Sequence, residues 1–330
     1  MILLRMDGDV FPVRDYEQPL FQQNGATQVL TIRADDPADI IRIDPEAIAV
    51  VSGRLPREVI CRLRRCRIIL RLGTGYDKID VAAATERGIL VTFVPDYCFH
   101  DVAEHAILLL LAAARRLPAF TRSMTEGTWM NVRRSAGPRR LSGKTLGIIG
   151  FGRIGREIGR IAAAMGLQII VHDALPNART EYPFTYVPLP QLLSTADFIS
   201  INCPLTPATT GLIGAAEISQ MKPDVILINV ARGAICDEQA LARALRSGRI
   251  AAAGIDVYEQ IKIFSQPDQE PFDGPYHGLA NVVLTPHCAS LSQESWRECV
   301  EKTAAQLQAF QRGEIPANCV NPQVRPVQGG

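Results

Sequence analysis

The chain has 330 residues, 35 Lys and Arg against 34 Asp and Glu, a formal net charge of +1 and 47% hydrophobic residues. That balance excludes the strongly basic surface of a nucleic-acid or anionic-membrane binder, and the length suits about two globular domains of ~150 residues. The longest apolar run, Ala106 to Ala114, is far short of the ~20 residues that span a bilayer, and the start, with Asp7 and Asp9 close by, has no basic stretch followed by a long apolar one, so a cytoplasmic protein is expected.

From Met1 to about Val94, short apolar strands alternate with amphipathic helices, the pattern of a small parallel α/β domain. Ala47 to Val51 reads as a strand, Pro56 to Cys66 as a helix with Val59, Ile60 and Leu63 on one face, and Arg67 to Arg71 as the next strand. Ile79 to Gly88 reads as a helix closed by Gly88, and Ile89 to Phe93 as the strand after it. Two strand-end loops, Ser52-Gly53-Arg54 and Leu72-Gly73-Thr74-Gly75-Tyr76-Asp77, either expose backbone N–H groups to an anion or are plain left-handed turns.

Val94-Pro95-Asp96 marks a crossing into a second domain. Asp101 to Arg116 reads as a helix with an apolar middle and a basic end, which suits the helix dipole. His105 within it reads as a packed helix histidine with no metal-ligand set around it. Leu117 to Ser142 is polar and arginine-rich, with Trp129 and Met130 embedded, and is neither strand nor clean helix. It is either an arm that clasps a second subunit or a surface loop. Eight cysteines, scattered without paired C-x-x-C spacing, point to reduced thiols and away from disulfides or a bound metal.

Lys144 to Asp173 organises the rest. Thr145 to Ile149 has strand length, and Gly150, Gly152 and Gly155 then spell G-x-G-x-x-G where the chain must turn into a helix beginning near Arg153 and Ile154. Gly150 permits the tight turn, Gly152 removes the Cβ that would hold a pyrophosphate off the backbone, and Gly155 lets helix and strand pack closely. The second strand, Leu167 to His172, ends in Asp173, 18 residues beyond Gly155, where an acidic residue accepts from the adenosine ribose hydroxyls. Ala174, Leu175 and Pro176 follow it without a cation for a 2′-phosphate, so the cofactor expected is NAD and not NADP.

Further strands are expected at Thr195 to Ile201, Asp224 to Val230, Ala251 to Val257 and Val282 to Thr285. Their ends, at Asn202-Cys203-Pro204, Ala231-Arg232-Gly233 and Pro286-His287, should meet at one sheet edge, where ligands of open parallel sheets bind. Ser292 to Arg312 reads as a long helix returning to the first domain, with Gly313 as its cap. The expected fold is therefore α/β, with two Rossmann-like parallel-sheet domains: a discontinuous one of residues 1–96 plus 291–330, and an NAD-binding one of residues 97–290. The active site would lie in the cleft between them, closing to exclude water.

Six stretches in order, namely Arg71-Leu-Gly-Thr-Gly-Tyr-Asp, Val94-Pro-Asp-Tyr-Cys with Ala103-Glu-His, the glycine fingerprint, Pro204-Leu-Thr-Pro-Ala-Thr209, Asn229-Val-Ala-Arg-Gly-Ala-Ile-Cys-Asp237, and Gly254-Ile-Asp256-Val-Tyr with the later Thr285-Pro-His, carry a resemblance across nearly the whole chain. The chain resembles the D-isomer-specific 2-hydroxyacid dehydrogenases, a family that includes phosphoglycerate dehydrogenases, glyoxylate reductases, phosphite dehydrogenase and the C-terminal-binding corepressors. The resemblance implies NAD-dependent interconversion of a 2-oxo acid and a D-2-hydroxy acid, with Arg232 and His287 as the catalytic pair. The residue chemistry agrees: a guanidinium fork grips the carboxylate and carbonyl of a 2-oxo acid in one plane, and an imidazole gives or takes the proton.

The same resemblance puts Gly150, Gly152, Arg153, Ile154, Gly155, Asp173, Cys203, Pro204, Thr209, Val230, Ala231, Asp256 and His287 at the cofactor. It puts the N–H groups of Thr74 and Gly75 at the substrate carboxylate, with Arg54 or Arg71 near its distal end. Arg54 would favour a second anionic group, or is a surface arginine. The family's third residue, a Glu that holds the His, stands five residues after the Asp, but here that position is Ile261. Glu270, in a Glu-Pro pair 17 residues before His287, or Glu259 would replace it, the former by way of an insertion of roughly Gln260 to Gln269. Outright loss of the Glu would weaken the His as an acid. A homodimer through the 100–140 region is expected. The alternatives are an NAD(H)-binding regulatory protein and a dehydrogenase of an unusual anion such as phosphite.

Overall fold

The computed structural model describes residues 1–6, 13–31, 47–52, 55–129, 137–259 and 274–324. Two compact units divide them, one running from Met1 to Tyr97 and resuming at Ser292, the other lying between Cys98 and Leu291.

In the first unit, β1 (Ile2–Arg5), β2 (Gln28–Thr31), β3 (Ala47–Ser52), β4 (Ile68–Arg71) and β5 (Leu90–Thr92) form a parallel sheet in the order β2-β1-β3-β4-β5. Side chains alternate across a strand, and here both faces are covered. Leu4, Val50, Ile69 and Val91 join one core with Val59, Ile60, Leu63 and Ala83. Their neighbours Leu3, Ala49, Val51, Ile68, Leu70 and Leu90 join the other, with Phe21, Val300, Ala304 and Leu307. The long helix Gln293–Gln311 that supplies the last three is capped by Ser292, whose side chain accepts from the Ser295 N–H.

In the second unit, β6 (Thr145–Ile149), β7 (Gln168–His172), β8 (Thr185–Tyr186), β9 (Phe198–Ile201), β10 (Ile226–Asn229), β11 (Ala252–Ile255) and β12 (Val282–Leu284) form a parallel sheet in the order β12-β11-β10-β9-β6-β7-β8. The strand order reverses between β6 and β9. On one face the helix Phe99–Ala114 packs on β10 and β11. Gly254 allows this, because a Cβ there would lie 2.8 Å from the Leu109 Cβ.

Two elements differ from their expected form. The helix expected over Pro56 to Cys66 is only Arg57–Ile60. Beyond it the Arg62 and Leu63 N–H groups bond three residues back, to Val59 and Ile60, so the chain tightens into turns yet still buries Leu63. The stretch after Arg116 holds a real helix, Leu117–Thr125, with Pro118 in its first turn, where the missing N–H costs nothing. Among the described residues, no helix is long and apolar enough to cross a membrane.

Candidate active site

The glycine turn sits where the strand order reverses. Gly150 has φ +88°, and a Cβ on it would overlap the Cys203 backbone nitrogen, so glycine lets the ends of β6 and β9 meet. The Asn202 N–H closes the junction on the Ile149 carbonyl at 2.7 Å. Gly152 caps the helix Arg153–Ala164, in which Arg153 and Ile154 begin the first turn. A Cβ on Gly152 would meet no heavy atom within 4 Å, whereas one on Gly155 would overlap the Gly150 carbonyl oxygen. Asp173 is fixed beside the turn, accepting from the Phe151 N–H at 2.6 Å and the Leu175 N–H at 2.8 Å. A backbone at Gly152 that no side chain crowds, the start of a helix beside it and a carboxylate at the end of β7 fit a dinucleotide.

The wall beyond is neutral. Burial first, and the Asp173 charge second, push the Cys203 thiol up to about 11. Thr209 closes the next loop, its hydroxyl donating to the Pro204 carbonyl at 2.6 Å. Val230 is buried and Ala231 half-buried as the chain leaves β10.

Arg232 stands on a turn built from within by Asn229. The buried Asn229 side chain accepts from the Ala231 N–H at 3.1 Å and donates to the Arg232 carbonyl at 3.0 Å. Gly233 follows because a Cβ there would overlap the backbone at Tyr258 and Glu259. That approaching segment is tied down by the Glu259 N–H, which donates to buried Glu238 at 2.9 Å.

His287 rides on a second turn, after β12. Its φ of 55° is left-handed, unusual without glycine, and its N–H reaches back to the Thr285 carbonyl at 3.1 Å. Asp256 pays for this conformation. Completely buried, it accepts from the Thr285 hydroxyl at 2.6 Å and from the Cys288 and Ala289 N–H groups at 3.0 Å each. Burial alone would raise its pKa, but these bonds and the His105 contact outweigh burial and lower it. Asp256, expected as a cofactor contact, is thus seen as the staple of the His287 turn.

His105 departs from its expected surroundings. Its Nε2 lies 3.0 Å from the Thr285 hydroxyl and 3.5 Å from Asp256, and with Cys288 these residues bring three ligand-type atoms within 4.8 Å of one another. Both Asp256 oxygens already accept hydrogen bonds, so the cluster works as a hydrogen-bond network. The sequence placed Ala103-Glu-His in a motif, but the partner that gives His105 its role lies 180 residues away.

In the first unit, the loop after β4 is braced by its own arginine. The Arg71 guanidinium donates to the Gly75 carbonyl at 2.8 Å and to the Leu72 carbonyl, and Gly73 takes φ +131°. Arg71, expected near the distal end of a substrate, therefore serves to hold the loop. The exposed Thr74 donates its hydroxyl to the Val94 carbonyl at 3.0 Å. Of the remaining expected residues, Glu259 is exposed, while Arg54 and Glu270 lie outside the described residues.

A parallel sheet with a glycine turn and an acidic staple at its switch point defines an NAD-binding α/β oxidoreductase fold. Residues 107–289 match the family described as D-isomer specific 2-hydroxyacid dehydrogenase, NAD binding domain. A glyoxylate reductase of Korarchaeum cryptofilum is 40% identical over 288 residues, covering 85% of this chain and 84% of that one. A D-3-phosphoglycerate dehydrogenase of Methanocaldococcus jannaschii is 37% identical over 315 residues, covering 94% of this chain and 58% of that one. The structure of a D-lactate dehydrogenase of Aquifex aeolicus with NAD and lactic acid superposes with a TM-score of 0.83 at 28% identity, covering 96% and 98% of the two chains. The chain belongs to the D-isomer specific 2-hydroxyacid dehydrogenase family and is an NAD-dependent D-2-hydroxyacid dehydrogenase.

Proposed function

We propose that the chain reduces a small 2-oxo acid to its D-2-hydroxy acid, with His287 as proton donor and Arg232 as the clamp on carboxylate and carbonyl. The observation that carries the reading is the pair of stapled turns: Asn229 fixes Arg232 after β10, and Asp256 fixes His287 after β12, the two strands that flank β11. Two strand spacings separate them by roughly 10 Å, room for a molecule of a few heavy atoms. NAD(H), when bound, supplies the hydride. Arg232 would orient the oxo acid and polarise its carbonyl, and His287 would hand a proton to the oxygen as charge develops there. The loop braced by Arg71 would offer the N–H groups of Thr74 and Gly75 to the carboxylate. Glu270, or else Glu259, would hold the His287 imidazole.

The substrate class follows the glyoxylate reductases among the relatives, so glyoxylate and hydroxypyruvate are expected to lead. NADH oxidation against a panel running from glyoxylate, pyruvate and hydroxypyruvate to bulky and phosphonate-bearing acids tests this. Turnover fastest on the smallest members is expected. Tight NADH binding without turnover on any member would overturn the reading in favour of a regulatory protein.

We also propose a homodimer through the 100–140 region. Leu108, Leu117 and Met124 are each more than half exposed there and Trp129 is 85% exposed, a surface costly to leave in water. Sedimentation of the chain at micromolar concentration as a monomer would contradict it.

A further inference from the structure

We infer that His105 is a positioning residue for the reaction, acting through Thr285 and Asp256 on the turn that carries His287. The inference deepens the proposed function and rests on His287 being the proton donor.

The direction of the hydrogen bonds follows from the count of protons. The single hydroxyl proton of Thr285 goes to Asp256 at 2.6 Å. Thr285 Oγ1 can then only accept from His105, so His105 carries its proton on Nε2. The chain reads His105 Nε2–H to Thr285 Oγ1–H to Asp256 Oδ1, and Asp256 in turn takes the Cys288 and Ala289 N–H groups. His287 stands between Thr285 and Cys288, both of which donate to Asp256, so the network holds the chain on either side of it.

The register of helix on sheet puts His105 there. Gly254 and Asp256 are two residues apart, on one face of the extended chain, and His105 and Leu109 are one helical turn apart on one face of their helix. Leu109 sits down on Gly254, so His105 sits over Asp256. The His287 backbone is in a left-handed conformation that a non-glycine residue holds only under constraint, and the network supplies that constraint. His105 itself is only 14% exposed.

The test is a set of variants, His105→Leu, His105→Gln, Thr285→Val and the Leu/Val double, read by kcat, KM, thermal midpoint and amide exchange at Cys288 and Ala289. Leu removes the donor, while Gln keeps an N–H at about the Nε2 position. His105→Leu should lower kcat about tenfold or more, as expected when a reacting group shifts by about an ångström, with KM for NADH within about twofold. Exchange at Cys288 and Ala289 should quicken in the same variant. His105→Gln should recover most of both effects, and the double should be no worse than the worse single. Unchanged kcat and exchange in His105→Leu would overturn the inference, as would a Gln variant as impaired as Leu at equal stability. Should the Leu variant not fold, His105→Gln against Thr285→Val decides, with near-wild-type behaviour expected only of Gln. If the wild type reduces no 2-oxo acid, the proposed function fails, while the exchange readout still decides whether His105 holds the turn.

Discussion

Asn229 holds the Arg232 turn closed from inside the protein: its amide nitrogen donates to the Arg232 carbonyl at 3.0 Å while its oxygen takes the Ala231 N–H at 3.1 Å. Asn229→Ala takes the partner from the half-buried Ala231 N–H and leaves the Arg232 carbonyl with the Ile235 N–H alone, a loss of about 1 kcal/mol in stability. The guanidinium should lose its setting as well. Thermal unfolding should report the first effect and kcat/KM the second, falling at least about tenfold. A variant that loses stability but keeps kcat/KM would assign Asn229 a packing role alone.

The glycines of the turn separate binding from folding. A Cβ on Gly152 meets nothing in the protein, so Gly152→Ala should unfold near the wild-type temperature and yet bind NADH at least about tenfold more weakly, a difference of ~1.4 kcal/mol. A Cβ on Gly155 overlaps the Gly150 carbonyl, so Gly155→Ala should lose about 1–3 kcal/mol of stability even without cofactor. Calorimetric unfolding and NADH titration of both variants check this. Equal behaviour in the two would contradict the division of roles.

Asp256 makes part of the stability depend on pH. Its pKa in the folded chain lies below the ordinary 3.8, because the bonds from His105, Thr285, Cys288 and Ala289 outweigh burial. A carboxylate with a depressed folded pKa contributes stability that is fully present above the unfolded value and is lost as pH falls through the folded one. Wild type should therefore lose this contribution below about pH 4. Asp256→Asn should be less stable than wild type at neutral pH, and the gap between them should narrow as pH drops through that window. Denaturant melts at pH 7 and pH 3 measure the gap; a constant difference would refute the linkage.

Two carboxylates are proposed for the place beside His287. Sequence spacing favours Glu270, while the N–H of the exposed Glu259 donates to Glu238. Glu270→Gln should lower kcat by roughly tenfold or more, within the range typical of a group that serves a general acid, and Glu259→Gln should change it less than about twofold. The reverse ranking would move the role to Glu259.

What was legible in the sequence was what is local. The strand Thr145–Ile149, the start of the next helix at Arg153 and the glycine spacing all depend on neighbours along the chain, and each is found at its expected place. The helix Leu117–Thr125 was hidden because its polar residues and exposed apolar residues give no buried stripe to read. The purposes of Asp256, Arg71 and His105 were hidden for another reason. Each is set by a hydrogen-bond partner whose position comes from tertiary packing: a turn 29 to 33 residues on for Asp256, its own loop for Arg71, and a strand end 180 residues away for His105.

The measurement that bears most directly on the central claim is the turnover of His287→Ala on the best 2-oxo acid of the panel, at saturating NADH and with NADH affinity determined in parallel. If His287 donates the proton from its stapled turn, kcat should fall by about 10²–10⁴-fold while NADH binding stays within about twofold of wild type. A His287→Ala enzyme that keeps more than about a tenth of the wild-type kcat would contradict it, and would place the acid elsewhere.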